Sequence, residues 1–416
     1  MSRKATFRLV VLTGLLLVLG SSPIAATKAA GQADWRQWDS FLTFVVKHFG
    51  QDIGGEELRI SLCDVLLDGR YEMVQAISPA AGISDPVPRL FLNTWKRLSP
   101  VLNQALPGLS QQTAARYRSF IGAADGLAAV GEVGFRFGIK KLSPDVLRGL
   151  ARLLEPTGTV DPVAYSLDID PQLRALLGLG PPLATPKPSS AVKEGRIYPP
   201  QLIPAAKSSI QARSWFISLA SAAEPDVIKL NQSVPDEKNL EAYLLQVRDL
   251  LRGLSGEVMI KSKLAEKYRP LYRDIVLAAA WQESCWRQYV QKGEQLTPLT
   301  SATGDVGLMQ VNRNVWRSLY EIKGLTADIE YNVRAGGEIL HYYLTRYAIR
   351  KEEDKQLGGH LARATYAAYN GGPGQLTRYR SPKPNPALKK VDDLFLEKYQ
   401  AVSSGHELDV LRCYRK

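Results

Sequence analysis

The ten residues Ile275-Val276-Leu277-Ala278-Ala279-Ala280-Trp281-Gln282-Glu283-Ser284 open with an unbroken apolar run and end on a carboxylate and a hydroxyl. The length and alanine content of the run predict a helix buried on most sides. Glu283 falls near the C-terminal end of that helix. A carboxylate there loses hydration and faces the negative end of the helix dipole, and both effects raise its pKa. A carboxyl kept protonated near neutral pH is what a general acid requires. The competing reading is a glutamate that reaches solvent as the helix ends.

Downstream, Gly307-Leu308-Met309-Gln310 combines a glycine that permits close backbone approach with an amide able to donate and accept. Asn332-Val333-Arg334-Ala335-Gly336 opens another helical pattern through Ile339, Leu340, Tyr343 and Leu344. Ala368-Tyr369-Asn370-Gly371-Gly372 closes a small-residue helix that begins near Leu361, and its glycines make a turn able to hold Tyr369 and Asn370 at a cleft wall. Met309 and Trp281 read as packing, while Trp286 stays open between packing and stacking on a ligand.

In this order, Glu283-Ser284, Gly307 to Gln310, Asn332 to Gly336 and Ala368 to Gly372 resemble the successive motifs of the soluble lytic transglycosylases, the lysozyme-like murein-cleaving enzymes. The resemblance covers about residues 268 to 379. It implies a helical lysozyme-like catalytic domain with a sugar-binding groove. It also implies cleavage of the β-1,4 bond between N-acetylmuramic acid and N-acetylglucosamine, leaving a 1,6-anhydromuramic acid end. Glu283 would be acid and base. Ser284, Gln310, Tyr369 and Asn370 would bind substrate, with Tyr369 hydrogen-bonding near the Glu283 carboxyl. The chain departs from the family at Cys285, Trp286 and Asp305. Asp305 is a candidate second carboxylate; its place after Gly304 also suits an aspartate that bonds nearby backbone amides. Goose-type lysozymes carry an aspartate where this chain has Asn312. A hydrolytic muramidase and a non-catalytic peptidoglycan-binding scaffold are the alternatives, and intact Glu283 and Tyr369 argue against the scaffold.

N-terminal to this region, prolines crowd between Pro181 and Pro204, which blocks helix and stiffens the chain. The expected organisation is a signal peptide at 1–26, a helical N-terminal domain of unassigned role at 31–180, a Pro-rich linker and strap at 181–235, and the catalytic domain at 236–416. Weak helical patterning over Ile210 to Ala222 falls inside the strap. In the N-terminal domain, Trp38, Phe41, Leu42, Val45 and Val46 line one helix face. That domain could dock a protein partner or a longer glycan. The fold class is therefore mainly α, a helical lysozyme-like domain following a separate helical region.

Arg3, Lys4 and Arg8 precede an apolar run from Leu9 to Leu19 and then small residues, the pattern of a secretory signal peptide. The run is too short to span a bilayer as a retained anchor, so no transmembrane span is expected after cleavage. With no cysteine near the cleavage region the expected location is the periplasm, without lipidation. The formal charge of +12 would fall by three to +9 on cleavage. That excess suits an anionic wall polymer, and export argues against nucleic acid. Four histidines and three scattered cysteines give no reason to expect a metal site or another cofactor. An oxidising compartment and two cysteines in the catalytic region suggest a Cys285–Cys413 disulfide with Cys63 as a buried thiol. Three buried reduced cysteines are the other reading.

Overall fold

The computed structural model describes residues 34–78, 81–82, 85–136, 142–185, 225–356 and 360–415. The signal peptide and most of the strap, including Ile210 to Ala222, lie outside the described residues. The chain divides into two compact units, residues 1–178 and 179–416.

The first unit is helical: α1 (Trp35–Asp52), α2 (Glu56–Ile77), α3 (Val87–Ala105), α4 (Gln111–Arg136), α5 (Pro144–Leu154) and the short α6 (Pro171–Leu177). Asp34 starts α1 with a capping box: its carboxylate accepts from the backbone of Arg36 and Gln37, and Gln37 accepts from the Asp34 N–H. Trp38, Phe41, Leu42, Val45 and Val46 are buried as one face. Among these apolar layers Arg70 of α2 is fully buried, donating through Nε to Asp39 (2.8 Å) and through Nη2 to Thr43 (2.9 Å) on α1.

In the second unit α7 (Val227–Leu230) and α8 (Leu240–Lys261) lead to α9 (Arg269–Ser284), the helix of the apolar run. Two antiparallel ribbons follow, β1 (Tyr289–Lys292) with β2 (Gln295–Pro298), and β3 (Asp305–Val306) with β4 (Val311–Asn312). Next come α10 (Ile322–Ala327), α11 (Ile329–Tyr343) continuing as a π-turn through Ile349, α12 (Leu361–Gly371), α13 (Pro386–Ser403), and a 3₁₀ segment Glu407–Cys413. The strands were not legible in the sequence, because the pairing segments are only two to four residues long.

Helix α9 packs against α8, α11, α12 and α13. Ile275 through Ala280 are at most 1% exposed, so this helix is the axis of the unit. Each Ile, Val or Leu buried there contributes roughly 1.5–3 kcal/mol. Part of the segment read as strap, 225–235, is folded into this unit. Asn231 accepts through Oδ1 from the Ile329 N–H (2.8 Å) and from Tyr289 (3.2 Å).

Candidate active site

Helix α9 stops because Cys285 and Trp286 both take left-handed backbone angles, φ 53° and 61°. Non-glycine residues adopt that region at a cost, and three contacts hold it here. Cys285 is disulfide-bonded to Cys413 with Cα atoms 6.2 Å apart, and its carbonyl accepts from the Tyr414 hydroxyl at 2.5 Å. Trp286 is fully buried and donates its indole N–H back to the Leu277 carbonyl (3.1 Å). Trp286 is thus packing and not a sugar platform. Cys63 is a buried thiol.

Glu283 lies in the last turn of α9, and its Oε1 accepts from the Tyr366 hydroxyl at 2.8 Å. Its pKa is pushed up to about 7, chiefly by burial and further by the negative charge of Asp305; the Tyr366 bond and the Arg378 charge pull the other way. Tyr366 is 1% exposed and lies flat against Phe395 of α13, ring centroids 4.0 Å apart. Burial, and next the neighbouring Glu283 charge, raise the Tyr366 pKa well above its ordinary value, so the phenol stays a neutral donor.

The expected partner of Glu283 was Tyr369. Its hydroxyl instead donates to the Met309 carbonyl at 2.6 Å. The two tyrosines are three residues apart on one face of α12. The earlier one meets the end of α9, and the later one meets the Gly307–Gln310 turn. No motif flagged Tyr366, and only the packing of α12 and α13 around α9 shows its place.

Ser284 also differs from expectation. Its hydroxyl donates to the Leu308 carbonyl (2.6 Å), accepts from the Arg287 N–H (3.1 Å) and is buried. It ties the turn to α9 instead of facing a ligand. The same turn is gripped from two other sides. Gln288 Oε1 accepts from the Leu308 N–H (2.7 Å), and Asn332 Oδ1 accepts from the Met309 N–H (2.8 Å). Asn332 also donates to the carbonyls of Val306 and Leu325, both at 2.9 Å. Gly307, at φ +76°, makes this grip feasible, since a Cβ there would fall 2.4 Å from Asn332 Nδ2.

Gln310 is half-buried at φ 48°, and its amide N–H donates to the Gly307 carbonyl at 2.8 Å. Asn370, expected to bind substrate, is exposed at the end of α12 and its side-chain oxygen accepts from Arg378 at 2.9 Å. Asp305 is enclosed by side-chain donors: Ser301, Thr303 (2.5 Å) and Asn312 Nδ2 (2.8 Å). These are hydroxyls and a side-chain amide, not the backbone amides its sequence setting suggested, because strand β3 pairs Asp305 opposite Asn312. Among the described residues no group of histidine, cysteine and carboxylate side chains could hold a metal ion, and no helix is long and apolar enough to cross a membrane.

Comparison with curated proteins and with solved structures returns no match. Residues 261–391, from the end of α8 into α13, match the family model described as Transglycosylase SLT domain, so the second unit of this chain carries an SLT transglycosylase domain.

Proposed function

We propose that the protein is an exported lytic transglycosylase that cleaves the glycan strands of peptidoglycan in the periplasm, with Glu283 as the sole acid and base. The SLT domain implies a peptidoglycan substrate, and the disulfide suits an extracytoplasmic location. The observation that carries the reading is a single carboxyl with a pKa near 7, oriented by one neutral phenol.

Glu283 donates its proton to the glycosidic oxygen between N-acetylmuramic acid and N-acetylglucosamine as that oxygen leaves the anomeric carbon. The resulting carboxylate removes the proton of the muramyl 6-hydroxyl while its oxygen bonds to the same carbon. The product is a 1,6-anhydromuramyl end, no water is consumed, and Glu283 ends protonated as it began. Because the nucleophile belongs to the substrate, one carboxyl suffices where hydrolysis generally uses a pair. Gln310 offers its carbonyl oxygen to the substrate, while Ser284 and Tyr369 act by holding the turn.

Hydrolysis is the second reading, favoured only by the closeness of Asp305, whose charge acts on Glu283. The hydrogen bonds from Ser301, Thr303 and Asn312 engage both Asp305 oxygens and argue for a fixed charge over a base. Mass analysis of murein digests separates the two. Products lighter by one water than hydrolytic ends, with Asp305→Asn keeping activity within about tenfold, are expected. Loss of a working general base would cost roughly 100- to 10,000-fold. Reducing muramic ends together with an inactive Asp305→Asn enzyme would replace this reading with a lysozyme.

A further inference from the structure

One hydrogen bond of 2.8 Å joins the Tyr366 hydroxyl to the Glu283 carboxyl. The direction in which that hydroxyl donates depends on the ring plane, because a phenol O–H lies in the plane of its ring. The torsion that sets the plane is broad in an unconstrained tyrosine. Helix α13 removes that freedom. The Phe395 ring lies flat on the Tyr366 ring, centroids 4.0 Å apart and planes 2° from parallel, so rotation of the tyrosine ring would drive its edge into the phenylalanine face. Phe395 is 0% exposed and cannot touch substrate. Its own helix is anchored on both sides of it. One turn earlier Asp392, also buried, accepts from Arg378 through both carboxylate oxygens, at 2.8 Å and 3.2 Å. One turn later Lys398 donates at 2.7 Å to Gln282, the residue before Glu283 on α9. Residues three apart share one side of a helix, so α13 meets the surroundings of Glu283 at three successive positions. All three follow residue 391, where the SLT match ends.

We propose that Phe395 is a positioning residue: its ring fixes the plane of Tyr366 and so keeps the tyrosine hydroxyl aimed at the Glu283 carboxyl. The proposal rests on the reading of Glu283 as the acid and adds the residue that sets its hydrogen-bond partner. An aromatic plane is needed here, and apolar volume alone is not enough. Leucine or methionine would fill much of the space without presenting a flat face. The tyrosine ring would then rotate and its O–H would turn off the carboxyl, and a hydrogen bond weakens steeply as its angle closes.

The test is a double-mutant cycle on the whole protein. Phe395→Leu, Tyr366→Phe and the double variant are compared in kcat on murein, in the pH profile, and in the titration of Glu283 followed by NMR of its carboxyl carbon, with Glu283→Gln identifying the signal. The Tyr366 bond holds the Glu283 pKa below the level that burial alone would set. Phe395→Leu should therefore raise that pKa and move the alkaline limb of the profile to higher pH, with kcat lower by about fivefold or more. Added to Tyr366→Phe, it should change kcat by less than about twofold and leave the pKa where Tyr366→Phe put it. Val402→Ala, at a buried site farther along α13, should cost stability without moving the carboxyl titration. Equal effects of Phe395→Leu with and without the tyrosine hydroxyl, a Glu283 titration that Phe395→Leu leaves unmoved or lowers, or as large a shift in Val402→Ala, would each overturn the proposal and leave Phe395 a packing residue. If Phe395→Leu does not melt cooperatively, Phe395→Met, which also lacks the plane, takes its place in the same cycle. Failure of wild type to cleave murein would count against the reading of Glu283 as the acid, and the carboxyl titration, which needs no turnover, would still decide Phe395.

Discussion

The role proposed for Glu283 asks for two conditions that oppose each other in water, a carboxyl that stays protonated and a position at substrate. Burial raises its pKa to about 7, against 4.5 for an ordinary glutamate. This has a cost that depends on pH. Below pH 4.5 the carboxyl is protonated in both folded and unfolded chains and the site is neutral to stability. Between pH 4.5 and 7 the unfolded chain releases a proton that the folded chain keeps, and above pH 7 the full penalty is felt. Glu283→Gln should therefore abolish murein cleavage and leave stability at pH 4 nearly unchanged. At pH 8 it should raise stability by about 3 kcal/mol, as read by denaturant melts at the two pH values. Tyr366 is the other residue to test. Its hydrogen bond favours the ionised form of Glu283, so Tyr366→Phe should raise the glutamate pKa. The alkaline limb of the pH profile should then move to higher pH, while kcat falls roughly ten- to a hundredfold through lost orientation. A limb that moves to lower pH would show that Tyr366 does not act on Glu283 in this way.

At the scale of elements, the Gly307–Gln310 turn has little structure of its own and is held by four side chains from elsewhere. Ser284 comes from the end of α9, Gln288 from the segment before β1, Asn332 from α11 and Tyr369 from α12. Asn332 is 0% exposed and serves three backbone groups, so it has no capacity left for substrate. Asn332→Ala would strand the Met309 N–H and the carbonyls of Val306 and Leu325, at about 1–3 kcal/mol for each buried group left unsatisfied. A loss of about 3–5 kcal/mol in thermal or chemical unfolding is expected, with kcat falling more than KM rises because Gln310 is displaced from its position. A loss below about 1 kcal/mol would mean the turn holds itself.

At the scale of the whole molecule, the two units differ in what closes them. The first relies on apolar helix faces around the Arg70–Asp39 pair, and its one cysteine, Cys63, is a buried thiol. The second is closed covalently: Cys285–Cys413 spans 128 residues of chain. By the loop-entropy argument, and from what native disulfides generally contribute, opening it should cost the second unit about 2–5 kcal/mol. Calorimetry with and without reductant should show one unfolding transition lowered, that of the second unit, with the other unmoved. Equal shifts in both, or none, would contradict this assignment. Activity should fall with reduction even below the melting temperature, because the left-handed pair Cys285 and Trp286 that ends α9 just after Glu283 loses one of its restraints.

By itself the sequence determined the helical class, the buried helix Ile275 to Ala280 and the catalytic candidate Glu283, because an apolar run ending on a carboxylate is a local pattern that burial makes readable. It also carried the order of motifs that the SLT match covers. Only the tertiary structure decided which tyrosine meets that carboxyl, that Ser284 and Asn332 brace the turn, and that Asp305 is enclosed by Ser301, Thr303 and Asn312. The reason is geometric. Tyr366 and Tyr369 share one helix face and one chemistry, and the choice between them depends on the height at which α12 crosses the end of α9. Hydroxyl and amide side chains near a site likewise look alike in sequence whether they face a ligand or a backbone carbonyl. The bonds from Ser284, Gln288 and Asn332 to Leu308 and Met309 cross 20 or more residues of chain, and only the packed fold shows which hydrogen bonds have already been used.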